Sequence, residues 1–75
     1  MALYKYPQVL ELLNDPIFDQ LYVPSATTPL SGIYRCQACG REITSVKSYP
    51  LPPQNHHQHT VTQGPIQWRL VVTHR

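Results

Sequence analysis

The apolar positions along the chain follow two rhythms, one helical and one strand-like. From Met1 to Tyr22, residues Val9, Leu10, Leu13, Ile17 and Leu21 recur near one face of a 3.6-residue period, with Glu11, Asn14 and Asp15 elsewhere. That spacing predicts one or two short N-terminal helices. Pro7 suits a first helical turn, and Pro16 interrupts the ladder. Asp15 is therefore expected to cap a second helix that begins at Pro16. Helices this short need a docking surface for their apolar face, either on their own chain or on a second one.

Val23 to Ser31, with Pro24, Ser25, Thr27, Thr28, Pro29 and Ser31, offers little to a helix and reads as a linker. Gly32 begins the strand-like half. Gly32-Ile33-Tyr34-Arg35 predicts a strand that runs into Cys36. Residues 41–49, with Ile43, Thr44, Val46 and Tyr49, predict a second strand antiparallel to it. Pro50-Leu51-Pro52-Pro53 stops that strand, and Gly64-Pro65 marks another turn. Ile66 to Thr73 is the clearest strand: Ile66, Trp68, Leu70 and Val72 share one face, and Gln67, Arg69 and Thr73 the other. Val71 is the apolar exception. The division is a helical segment over 1–22, a linker over 23–31 and a three-stranded domain over 32–75.

Length limits what such a core can do alone. Seventy-five residues make one small domain, which buries only roughly 60% of the surface its unfolded chain exposes. Scaffolds of this size are usually held by disulfides, a metal or a partner subunit. Two cysteines separated by two residues do not make a disulfide framework. With no charged leader ahead of a long apolar run, no signal peptide is expected. No stretch approaches the ~20 apolar residues of a membrane span. The expected setting is a reducing cytoplasm, where thiols remain available to a metal. Eight prolines against three glycines favour stiff, extended connections.

The formal net charge of +2 is too mild to imply nucleic acid, but its distribution is uneven. Residues 1–20 hold Glu11, Asp15 and Asp19 against Lys5. Residues 31–75 hold Arg35, Arg41, Lys47, Arg69 and Arg75 against Glu42. Two zinc-bound thiolates would cancel the charge of the ion, so the basic bias of the second half survives metal binding.

The chemistry concentrates between Cys36 and His59. Both cysteines stand in Cys36-Gln37-Ala38-Cys39-Gly40, and three of the four histidines in His56-His57-Gln58-His59. A tight Cys-x-x-Cys turn brings two sulfurs to one point, and Gly40 can adopt the positive φ such a turn needs. Two ligand-bearing loops joined by a strand are what a tetrahedral Zn²⁺ site requires. Other readings fit less well. A redox Cys-x-x-Cys wants a helix after its first cysteine, and here a strand precedes and a strand follows. A Rieske-type cluster needs one cysteine and one histidine from each loop, whereas this chain segregates them. A ββα finger needs its histidines on a helix, which Pro50, Pro52 and Pro53 upstream and Thr60-Val61-Thr62 downstream disfavour.

Cys36, Cys39, His56 and His59 form the preferred ligand set, since His56 and His59 repeat the spacing of the cysteines. His57 with His59 would serve instead if that segment is extended. His74 is expected to be an exposed bystander. Four protein ligands close the site, so the ion is structural.

The run Gly32-x-Tyr34-x-Cys36-x-x-Cys39-Gly40, followed by Pro50-Leu51-Pro52-Pro53, resembles short bacterial zinc-ribbon proteins. With the Gln54-Asn55-His56-His57-Gln58-His59 run and the Trp68-containing last strand, it looks closest to the small enterobacterial family known only as protein L. The resemblance covers roughly Pro24 to Val72. It implies a rubredoxin-like zinc ribbon, a small metal-stabilised α+β chain once the N-terminal helices are included. This chain carries histidines where the wider ribbon family has cysteines in its second knuckle. The resemblance implies no activity.

Three functions are compatible with such a chain. The first is a non-enzymatic zinc ribbon that binds another protein, as a monomer or weak homo-oligomer. The second is nucleic-acid binding through Arg35, Arg41, Lys47 and Arg69, helped by Tyr34, Tyr49 or an exposed Trp68. The third, an enzyme, needs an acid or base beside the metal. Glu42 is the sole carboxylate side chain after Tyr22, so no enzyme is expected.

Overall fold

The computed structural model describes residues 1–52 and 64–74. Three strands form one antiparallel sheet in the order β2-β1-β3: β1 is Gly32–Cys36, β2 Glu42–Ser45 and β3 Trp68–Thr73. β1 sits centrally because the Cys36–Gly40 turn folds β2 back on one side of it. β3 returns on its other side. Tyr34, Cys36, Leu51, Ile66, Trp68 and Leu70 make the core, with Ile17, Phe18, Tyr22, Leu30 and Ile43 packed around it. The rings of Tyr22 and Tyr34 meet edge to face, with centroids 6.1 Å apart.

The last strand departs from simple alternation. Ile66, Trp68 and Leu70 are buried as expected, but Val72 is exposed. The pairing explains this: Tyr34 stands opposite Leu70 and Ile33 opposite Val72, so Val71 is an extra residue in β3. A bulge of this kind breaks the two-residue period of the strand. The apolar exception in the sequence marks the residue at which the period slips.

The expected N-terminal helices are not there. In their place are two single 3-10 turns, Pro7–Val9 and Pro16–Phe18. Each follows a residue with extended backbone, Tyr6 and Asp15, because the proline ring crowds the α conformation of the residue before it. Leu10 is extended again. Eight residues between two prolines leave too little room for a helix that must stand without packing. Local chemistry still holds at the second turn: the Asp15 carboxylate accepts a hydrogen bond from the Ile17 N–H at 2.9 Å, and Pro16 opens the turn. No helix among the described residues is long and apolar enough to cross a membrane.

Residues 22–31 lie against the ribbon through backbone hydrogen bonds. Tyr22 and Trp68 exchange two, both 2.8 Å, and the Leu51 N–H donates to the Ala26 carbonyl at 2.8 Å. Thr28 is buried, and its hydroxyl donates to the carbonyls of Val46 (2.7 Å) and Tyr49 (3.1 Å). The hydroxyl of Tyr34 donates to the Leu30 carbonyl at 2.7 Å. Gly32 is needed for close approach, since a Cβ there would collide with the Val72 carbonyl oxygen.

Candidate metal centre

Cys36 ends β1 and Cys39 closes the turn that leads to β2. The turn is set by two backbone hydrogen bonds: the Gly40 N–H donates to the Cys36 carbonyl (2.9 Å), and the Cys36 N–H to the Arg41 carbonyl (2.7 Å). Gly40 has φ +80°, the left-handed conformation expected of it. A Cβ there would stand 3.0 Å from the Arg35 guanidinium, so the glycine also leaves room for Arg35 over the turn.

Neither cysteine forms a disulfide; Cys36 is buried and Cys39 exposed. Burial pushes the Cys36 thiol up. The backbone N–H groups of Cys39 and Ala38, the Cys39 side chain and the Gln67 N–H together outweigh burial and hold it below the ordinary thiol value. Several N–H groups aimed at one sulfur favour its thiolate form, which is the form that binds a metal. The donor chemistry of this half-site therefore fits Zn²⁺.

Gln67 was not legible as part of this site. Its carbonyl accepts from the Gln37 N–H at 2.7 Å, and its own N–H faces the Cys36 sulfur. Both contacts are made by backbone atoms, and nothing about a glutamine side chain announces them. They bring the chain just before β3 against the cysteine turn.

The expected histidine ligands, His56 and His59, and the alternative His57, lie outside the described residues. Among the described residues, no three His, Cys, Asp or Glu side chains gather as a metal site. His74 is exposed and lines a groove of about 570 Å³ between β3 and the N-terminal segment.

Of the basic residues, Arg35 and Arg69 lie in the sheet, and Arg41 and Lys47 in the connections beside β2. Arg35 is flanked across the strands by Glu42 on one side and Arg69 on the other. Glu42 also pairs with the Met1 ammonium group, which holds its carboxyl below the usual glutamate value against a smaller opposing effect of burial. Tyr34 and Trp68 are buried in the core, so neither offers a stacking face. Tyr49 remains exposed.

No protein-family model matches the chain, and no solved structure matches it. Over 51 residues the chain is 57% identical to a protein of Escherichia coli named Protein L. That match takes in 68% of this chain and 58% of the relative, so the chain spans little more than half of the relative's length. The chain is thus similar to Protein L through most of its own length.

Proposed function

We propose that this protein is a small zinc-binding ribbon that serves as a non-enzymatic protein-interaction module in the cytoplasm. Cys36, Cys39, His56 and His59 would hold one structural Zn²⁺, in the manner of a rubredoxin-like ribbon. The observation that carries the reading is the cysteine turn, where backbone N–H groups converge on a buried Cys36 sulfur beside Cys39. Chain connectivity supports it. Residues 53–63, which carry the histidines, lie in sequence between Pro52 and Gly64, and Gly64 stands three residues before Gln67, whose backbone meets the same turn.

The ion would supply a cross-link between two loops. With four protein ligands it has no open position for an activated water. The chain's own residues contribute the rest: Gly40 permits the turn, Gln67 ties it to β3, and Arg35 covers it. Glu42 does not serve as a base, because its carboxylate is engaged by the Met1 ammonium group.

Nucleic-acid binding is the weaker reading, since burial of Tyr34 and Trp68 removes two of its three expected stacking residues.

Elemental analysis with denaturation tests the zinc reading. One zinc per chain is expected, and chelation or the Cys36→Ser/Cys39→Ser variant should abolish cooperative unfolding. The apparent binding free energy of small zinc domains, on the order of 10–16 kcal/mol, exceeds the stability of a domain this size. A metal-free chain with a fully dispersed amide NMR spectrum would sink it.

A further inference from the structure

The fold treats the two sulfurs of the cysteine turn unequally. Cys36 is sealed in the core and Cys39 is exposed. Both nevertheless belong to one turn, closed by the Gly40 N–H on the Cys36 carbonyl. The Cys39 side chain hydrogen-bonds to the Cys36 sulfur. A small molecule that reaches the turn from solvent therefore meets Cys39 first, and the second thiol already beside it is Cys36. An accessible sulfur next to a resolving one is the arrangement by which a cysteine pair senses oxidants.

The surroundings hold that arrangement in place. The N–H groups of Ala38, Cys39 and Gln67 converge on the Cys36 sulfur and keep it in the turn, facing Cys39. Gly40, at φ +80°, lets the turn close without a side chain of its own. The chain has one other sulfur, the thioether of Met1, which is exposed and can take up oxygen but cannot form a disulfide.

We propose that a peroxide joins Cys36 and Cys39 as an intramolecular disulfide, with Cys39 the attacking sulfur and Cys36 the resolving one, and that this bond displaces the zinc. The Cys39 sulfur attacks one peroxide oxygen and breaks the O–O bond, which leaves a sulfenic acid and releases hydroxide. The Cys36 sulfur then attacks the Cys39 sulfur and expels the sulfenic oxygen as a second hydroxide. Two thiolates give up two electrons to one peroxide, and the two hydroxides balance the charge of the departing Zn²⁺. A disulfide sulfur is no longer a thiolate and no longer a zinc ligand. Transient pairing of this kind is the usual form of a disulfide in a reducing compartment. The displacement of zinc rests on the zinc reading, whereas the joining of the sulfurs does not.

Treatment of the full chain as purified with hydrogen peroxide tests it. The intact mass of the 8.6 kDa chain should fall by two hydrogens and recover with dithiothreitol. A chelating dye should read one zinc freed per disulfide formed. With dimedone present, the sulfenic acid should be trapped on Cys39 several-fold more than on Cys36. Cleavage after Arg35 and Arg41 isolates residues 36–41, in which fragmentation separates the two positions. Oxygen gained at Met1 while both thiols persist overturns the proposal. So does trapping on Cys36 as much as on Cys39, a disulfide that joins two chains, or zinc retained after the disulfide has closed. A chain that holds no zinc but closes the same disulfide supports the sulfur chemistry and sinks the zinc reading alone.

Discussion

Residues 1–15 and the ribbon are both rich in large apolar side chains, but they use them differently. In the N-terminal segment Leu3 and Leu12 are 93% and 97% exposed, and Tyr4, Tyr6 and Val9 also face solvent. In β3 and β1, Trp68, Leu70 and Tyr34 are sealed in the core. The ribbon's side chains are held by a sheet whose strands pair in a fixed register. Those of the segment have behind them the turn at Pro7–Val9, closed by two backbone hydrogen bonds of 3.1–3.2 Å, and the Met1–Glu42 ion pair, but no strand pairing. Apolar content alone does not bury a side chain. A backbone partner must hold it where burial can occur.

The contrast is sharpest in paired truncations. Trp68→Ala should cost about 3–5 kcal/mol, the range for emptying a buried aromatic site. Leu12→Ala should change stability by no more than about 0.5 kcal/mol. Chemical denaturation of both variants checks the pair, and similar losses would show that the segment is packed in solution.

The stretch before β1 supplies the next test. Thr28→Val preserves shape but removes the hydroxyl that donates to the Val46 and Tyr49 carbonyls. Taking that donor from two partly buried carbonyls, of which Tyr49 keeps the Thr28 N–H, should cost about 1 kcal/mol. A neutral outcome in thermal denaturation would mean that water replaces the hydroxyl, and that this stretch behaves like the exposed segment rather than the ribbon.

The smallest effect belongs to the ion pair between segment and ribbon. The Glu42 carboxyl is held below its usual value by the Met1 ammonium group. A carboxyl whose pKa is depressed by folding stabilises the fold above its unfolded-state pKa. That contribution disappears as pH falls through the folded value. Acidification below the ordinary glutamate range should therefore cost the wild type a little stability that Glu42→Gln does not lose. Stability curves of the two proteins against pH, with an NMR titration of Glu42, make the comparison.

Much of the ribbon was legible because its signals are local. β-branched and aromatic residues mark β1 and β3, and Cys36-x-x-Cys39-Gly40 marks the turn between β1 and β2. Gly40 adopts the positive φ that its place after a cysteine pair suggested. The second strand was overestimated. It ends at Ser45 rather than continuing to Tyr49, because Val46, Ser48 and Tyr49 bond Thr28 and Lys47 bonds Ser31 instead.

The N-terminal segment misled for the opposite reason. A 3.6-residue period was present, but periodicity reports a helix only where a core exists to receive its face. Here two prolines set the backbone first. The sequence by itself determined the elements whose cause lies within a few residues: the proline-led turns, the Asp15 cap and the cysteine turn. Tertiary structure decided the rest. It chose Val71 as the bulge, brought the Gln67 backbone to Cys36, and sealed Thr28 against the turn beyond β2. Each of those outcomes depends on residues far apart in the chain meeting through backbone atoms, and backbone atoms are the same at every position of a sequence.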